Sequence, residues 1–215
     1  MDTGKRSRGR PKDLQCRERI MIAASDLFML HGMQAVSVDQ IAMKASVSNK
    51  TVYSHFSGKE ILLWEVIRHA GESLKPKLPS TFPTSEADFV EAITAFGIAF
   101  VCLLTNPRII NLGKLMISES ARHPELAKQF FDWGPLQVQN ALAAFVTHGV
   151  RQGWLLSTTP KNSAHHLFAM WNGTWHFKQQ LGLSRRLSRP EIESLVTESL
   201  DVFLSAYSSS RSPSR

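Results

Sequence analysis

The chain has 215 residues, 43% of them apolar, only two cysteines, and a formal net charge of +7 with a pI near 9.7. That length holds one large domain or a small one joined to a medium one, and the apolar share suits an ordinary globular core. Cys16 and Cys102 lie far apart and form no CxxC pair, which excludes a disulfide framework and a cysteine-rich metal site, while the basic balance favours a polyanionic partner such as nucleic acid.

The first segment, "MDTGKRSRGRPKD", is charged and has no apolar centre, so it does not read as a secretory signal. Residues 1–12 carry Lys5, Arg6, Arg8, Arg10 and Lys12 against Asp2 alone. Such a run serves equally as a disordered solubilising tail or as an arm that follows DNA phosphates or enters a minor groove. The helices that come after it decide between the two.

"LQCRERIMIAASDLFMLHG" sets Ile20, Ala23, Ala24, Leu27 and Phe28 on one helical face, with Gly32 as a stop. A second helix starts after Ser37, a residue suited to an N-cap, and runs through Ile41, Ala42 and Ala45. The turn "SVS" leads to a very short helix, Lys50 to Phe56, whose plain apolar anchors are Val52 and Phe56 alone. "GKEILLWEVIRHAGESL" then supplies a fourth helix with Leu62, Leu63, Val66 and Ile67 inward. A helix-turn-helix accounts for the poverty of the short third helix: it must be braced from one side and left bare on the other, so that donors can reach phosphates and base edges in a major groove. Asn49, Lys50, Thr51, Tyr53, Ser54 and His55 supply those donors.

"KPKLPSTFPTSEAD" reads as a linker. Helical patterns then cover about 86–105, 107–122, 124–150 with a break at Gly134-Pro135, 161–182 and 190–207, and no strand-like alternation persists. The fold class is therefore all-α. The apolar run Ala92 to Pro107 is too short and interrupted for a span of about 20 residues and reads as a buried helix, so the protein is expected to be soluble and cytoplasmic. "SSSRSPSR" closes the chain as a disordered tail.

The stretch "RIMIAASDLFMLHGMQAVSVDQIAMKASVSNKTVYSHFSGKEILLWEVI" resembles the DNA-binding domain of the tetracycline-repressor (TetR) family in its "SVDQIA", "VS..TVY.HF" and "GKE.LL" patterns. The resemblance implies a three-helix helix-turn-helix head, linked by a fourth helix to a larger helical domain, acting as a homodimer on a palindromic operator. It implies base or adjacent-backbone contacts for Asn49, Lys50 and Tyr53, and phosphate contacts for Thr51, His55, Lys59 and Ser37. Tyr53 is expected to lay its ring inward with its hydroxyl outward. Beside a DNA-reading helix, the basic arm is best read as a DNA contact, through Arg8 and Arg10 among others. One departure stands in the turn, where Ser46 occupies a position that commonly carries Gly.

"KLMISESARHPELAKQFFDWGPLQVQNALAAF" is similar to the regulatory domain of AefR-like repressors of the same family, with His123 where an aromatic is more usual. The chain thus divides into an arm over 1–12, the DNA-binding domain over 13–75, a ligand-binding and dimerisation domain over 76–207, and a tail over 208–215. The aromatic density of the third part suggests an apolar cavity for a hydrophobic or aromatic small molecule, with Phe100, Met116, Trp133 and Trp171 as its walls. The stripe Ile192, Leu195, Val196, Leu200, Phe203 and Leu204 is broad enough to serve core and partner together. His165, His166 and His176 have no suitably spaced companions for a metal, no nucleophile or phosphate-loop motif appears, and no cofactor is expected. Two candidate functions result: a ligand-released repressor, or a DNA-binding factor without a small-molecule ligand, whether constitutive, architectural or protein-controlled.

Overall fold

The computed structural model describes residues 10–72 and 82–209, and the side chains of 13–69 and 82–209. Ten helices run through them: α1 Arg10–Ala35, α2 Val38–Ala45, α3 Asn49–His55, α4 Lys59–Glu72, α5 Glu86–Leu104, α6 Pro107–Glu119, α7 Pro124–Trp133, α8 Pro135–Arg151, α9 Pro160–Gln180 and α10 Arg189–Tyr207. No named strand occurs among the described residues; the one β contact is an isolated antiparallel bridge between Leu155 and Ser208.

The described residues form two compact units, one of residues 10–72 with 114–128, the other of 82–113 with 129–209. This differs from the division expected near residue 75, because Lys114–Lys128 groups with the N-terminal helices. There Leu115, Met116, Glu119 and Leu126 are buried. Helix α6 is therefore continuous across the division at Lys114.

In the N-terminal unit α1 buries Ile20, Ala23, Ala24 and Phe28, as its periodicity predicts, and breaks at Gly32, whose φ of 76° is open to glycine. Ser37 then opens α2 with a capping box: its hydroxyl accepts from the Gln40 N–H (3.2 Å) while its own N–H donates to Gln40 Oε1 (2.8 Å). The turn into α3 is closed by Ser46 in the left-handed region (φ 54°, ψ 50°), which lets Val47 N–H reach the Ala42 carbonyl at 3.0 Å. Ser48 caps α3, accepting from the Thr51 N–H at 3.2 Å. Helix α4 turns Leu62, Leu63, Val66 and Ile67 inward.

In the C-terminal unit α5 is the central core helix, burying Phe89, Ile93, Phe96, Gly97, Phe100 and Val101 against α8, α9 and α10. By length and composition alone this 19-residue helix would also serve as a membrane span, so its shortness does not distinguish it; its packing does. Gly97 is needed for that packing, since a Cβ there would lie 2.6 Å from the Trp171 ring and 2.8 Å from Val196. The break expected at Gly134-Pro135 separates α7 from α8, Pro135 taking the first turn where its missing N–H costs nothing. Residues 208 and 209 lie in the expected tail yet are held in the fold, because Ser209 N–H donates to the Trp154 carbonyl at 3.0 Å and Leu156 N–H to that of Tyr207 at 2.6 Å.

Candidate nucleic-acid interface

Of the seven residues of α3, Val52 alone is buried, and Phe56 just beyond it closes the inner side. So little apolar area cannot hold a helix by itself. The bracing comes from charged side chains on neighbouring helices. Arg17 of α1 sets its guanidinium 5.0 Å above the centre of the Phe56 ring and donates to Glu65 Oε2 of α4 at 2.7 Å. Arg68 meets the same carboxylate oxygen at 3.0 Å. Burial works against the ionised Glu65, but the hydrogen bonds from Arg17 and Arg68 prevail and hold its carboxyl below the usual range. Lys44 of α2 pairs with Asp26 of α1 at 2.9 Å.

The outer side of α3 is open. Asn49, Lys50, Tyr53 and Ser54 are exposed, and Thr51 is half-buried with its hydroxyl 2.8 Å from that of Ser48. Ser54 donates to the Thr51 carbonyl at 2.7 Å. Tyr53 does not lay its ring inward as expected: Val52 and Phe56 fill that side, and Tyr53 is 56% exposed. Asn49 donates through Nδ2 to Oδ1 of Asp39, in the first turn of α2.

Two residues expected at phosphates are placed otherwise. The side chain of His55 is only 11% exposed, with Nε2 3.3 Å from Asp13 Oδ1. Lys59 turns its ammonium back onto the carbonyls of Met33 (3.1 Å) and Val36 (3.0 Å), which the break at Gly32 leaves near the end of α1. Besides this lysine, the start of α4 has the first-turn backbone N–H groups and the helix dipole that suit an anion. Ser37 remains exposed at its cap. Arg8 and the side chain of Arg10 lie outside the described residues, although α1 already begins at Arg10, within the expected arm.

The anticipated cavity walls are distributed differently from the expectation. Met116 is buried in the N-terminal unit. Phe100 and Trp171 sit in the core of the C-terminal unit, the first 5.1 Å from the Phe168 ring and the second 6.2 Å from that of Phe96. Trp133 is half-buried at the end of α7. Residue pattern alone does not reveal a polar strip on α9. This helix departs from helical geometry at Gly173 (φ 25°, ψ 174°), and the Trp171 carbonyl accepts instead from Trp175 Nε1 at 3.1 Å. Nearby, Trp171 Nε1, Asn172 Oδ1, His176 Nδ1 and Gln179 Oε1 are buried without a hydrogen-bond partner of good geometry among the described residues. Burial lowers the His176 pKa, and the Leu104 carbonyl beside the ring only partly offsets it. His166 is engaged apart from it, its Nδ1 lying 2.9 Å from the Tyr207 hydroxyl.

A short, externally bare helix held by a capped partner helix and a four-helix head defines a helix-turn-helix DNA-binding protein. Residues 20–66 match the bacterial regulatory proteins of the tetR family, and residues 91–209 match the AefR-like transcriptional repressor C-terminal domain. The chain belongs to the TetR family of transcriptional regulators and carries an AefR-like repressor C-terminal domain. Among solved structures it is similar to the flavonoid-responsive regulator FrrA, with 29% identity and a TM-score of 0.77 over 91% of this chain and 98% of that one. It shares the fold of a TetR transcriptional regulator from Agrobacterium tumefaciens, with 16% identity and a TM-score of 0.79 over 91% and 96%. Curated relatives match over short stretches of this chain. The regulator YdeS of Bacillus subtilis is 41% identical over 58 residues, 27% of this chain and 29% of that protein. The repressor Rv3405c of Mycobacterium tuberculosis is 38% identical over 72 residues, 34% of this chain and 37% of that protein. The chain thus spans roughly a third of the length of the curated relatives it matches.

Proposed function

We propose that the protein is a cytoplasmic repressor that binds a palindromic operator as a homodimer and releases it when a hydrophobic, aromatic small molecule binds the C-terminal unit. The observation that carries this reading is the bare outer side of α3, with Asn49, Lys50, Tyr53 and Ser54 exposed on a helix that buries Val52 alone. In this reading Asn49, Lys50 and Tyr53 meet bases or adjacent backbone, Ser37 and Thr51 meet phosphates, and the N-terminus of α4 receives another. The basic arm adds Arg8 and Arg10.

Dimerisation draws support from apolar side chains left outside the core. The stripe on α10 is largely consumed within the chain, since Ile192, Val196, Leu200, Phe203 and Leu204 are all buried. Phe177 on α9, Leu181 and Leu183 just beyond it, and Val202 on α10 remain exposed, and in this reading they meet a second copy. A two-fold pair sets two α3 helices on half-sites about one helical turn apart, or somewhat more.

Effector binding draws support from the unpartnered polar atoms around Asn172, His176 and Gln179, and from the likeness to FrrA, a regulator named as flavonoid-responsive. Such groups, set among apolar side chains, would orient a mostly apolar ligand. Helix α6, continuous from one unit into the other, is the element through which occupancy would bias operator affinity. The alternative, a DNA-binding factor without a small-molecule ligand, draws support from the packing of Phe100 and Trp171 into the core instead of around a space.

Selection of bound duplexes from a random pool is the test. The full chain is expected to enrich an inverted repeat, and Lys50→Ala to lower the salt dependence of binding by about one unit of log–log slope if that side chain meets a phosphate. Failure of the wild-type chain to enrich any sequence at low salt would remove the reading. Release of the enriched duplex by hydroxylated aromatic compounds, with a matching rise in melting temperature, separates the first function from the alternative.

A further inference from the structure

The Asn49 amide is the most adaptable base-reading group on the outer side of α3, and it does not stand alone. Its Nδ2 donates to Oδ1 of Asp39, ten residues earlier on α2, and both residues are exposed on the head. An asparagine side chain has a donor end and an acceptor end of nearly equal shape, so rotation by 180° about its last bond interchanges them at little steric cost. A carboxylate only accepts. Turning the amide over would set Asn49 Oδ1 against Asp39 Oδ1, two acceptors with no proton between them. Asp39 therefore fixes which end of Asn49 carries the donor.

Base edges in the major groove differ in the order of their donors and acceptors, and adenine is read by an amide that donates to N7 and accepts from N6–H. An amide free to turn over offers both orders and discriminates poorly; an amide held in one sense accepts one order and rejects its reverse. We propose that Asp39 is a specificity-determining positioning residue: by holding the Asn49 amide in one sense it sharpens base choice at the pair under Asn49, at some cost in affinity. The cost arises because an exposed carboxylate on the DNA-facing head repels phosphates.

This inference rests on the reading of α3 as the operator-contacting helix, and its sign separates it from a structural role. In Asp39→Asn the new amide can donate or accept, so the Asn49 amide regains its freedom while side-chain volume is kept and a negative charge is lost. Discrimination at one base-pair position is then expected to fall on the order of tenfold, while binding to a scrambled duplex tightens. If Asp39 served only to complement the α2 dipole, Asp39→Asn would lower the melting temperature and weaken both duplexes in parallel, with base preference unchanged.

The experiment runs the full chain, Asp39→Asn, Asn49→Ala and the double variant against a random duplex pool, then titrates each with the enriched duplex, its single-position variants and a scrambled duplex. Asp39→Asn is expected to broaden preference at one position in each half-site, and to change discrimination no further once Asn49→Ala is present. An unchanged preference in Asp39→Asn, or an equal change with Asn49 already removed, overturns the inference and leaves the DNA reading standing. Absence of any preference in the wild-type chain overturns both.

Discussion

Helices α3 and α5 lie at opposite extremes of the same molecule. The first buries one of its seven residues, the second six of nineteen. Each is placed by a different kind of force. Helix α5 is held by its own apolar area, packed so closely that Gly97 has no room for a Cβ beside Trp171. Helix α3 is held from outside, by the cap at Ser48 and the Arg17 guanidinium over Phe56. A surface that must be covered by another molecule cannot also be covered by its own protein, so its rigidity has to come from its neighbours.

That contrast can be broken first at the core. Trp171→Ala removes a fully buried ring from the contact with α5 and is expected to cost about 3–5 kcal/mol, measured by urea unfolding of the full chain. Arg17→Ala probes the other kind of support. It removes the guanidinium from Phe56 and leaves Glu65 with Arg68 alone, for an expected loss of about 1 kcal/mol. Its larger signature is local: faster amide exchange through α3 with the C-terminal unit unchanged. Equal exchange in both variants would remove the distinction between the two helices.

The smallest effect concerns a charge outside both helices. Glu191 is held at about 2 by hydrogen bonds from Arg185 and from the Ser188 backbone and hydroxyl, at the start of α10. Because its folded pKa is depressed, its contribution is fully present above the ordinary value of 4.5 and fades as pH falls from there toward about 2. Wild type and Glu191→Gln should therefore differ in stability at pH 6 and converge near pH 2. A constant difference across that range would show that the carboxylate charge is not what matters.

The order of helices was legible because their punctuation is local. Ser37 with Gln40 makes a cap wherever a helix comes next, and Pro135 cannot continue the helix before it. The inner residues of α1, α2 and α4 follow a single period and face a single core. The reading of α10 was less complete: its apolar stripe is visible in the sequence, but how much of it the chain's own core consumes depends on α5 and α9. Side-chain roles at the interface were legible as residue types, not as partners. Lys59 serves two carbonyls more than twenty residues earlier, and Asp39 reaches Asn49 across the turn; no periodicity connects either pair. Ser46 stands out in the sequence at a turn position that favours the left-handed region, and it occupies that region at φ 54°.

The departure at Gly173 divides α9 into two stretches with separate obligations. Before it, Ser163, Ala164, Leu167, Phe168 and Trp171 are committed to the interior. After it, His176 and Gln179 bring buried polar atoms and Phe177 an outward ring. A seam of this kind separates the stretch of α9 that the core holds fixed from the stretch whose polar atoms the core leaves unmatched.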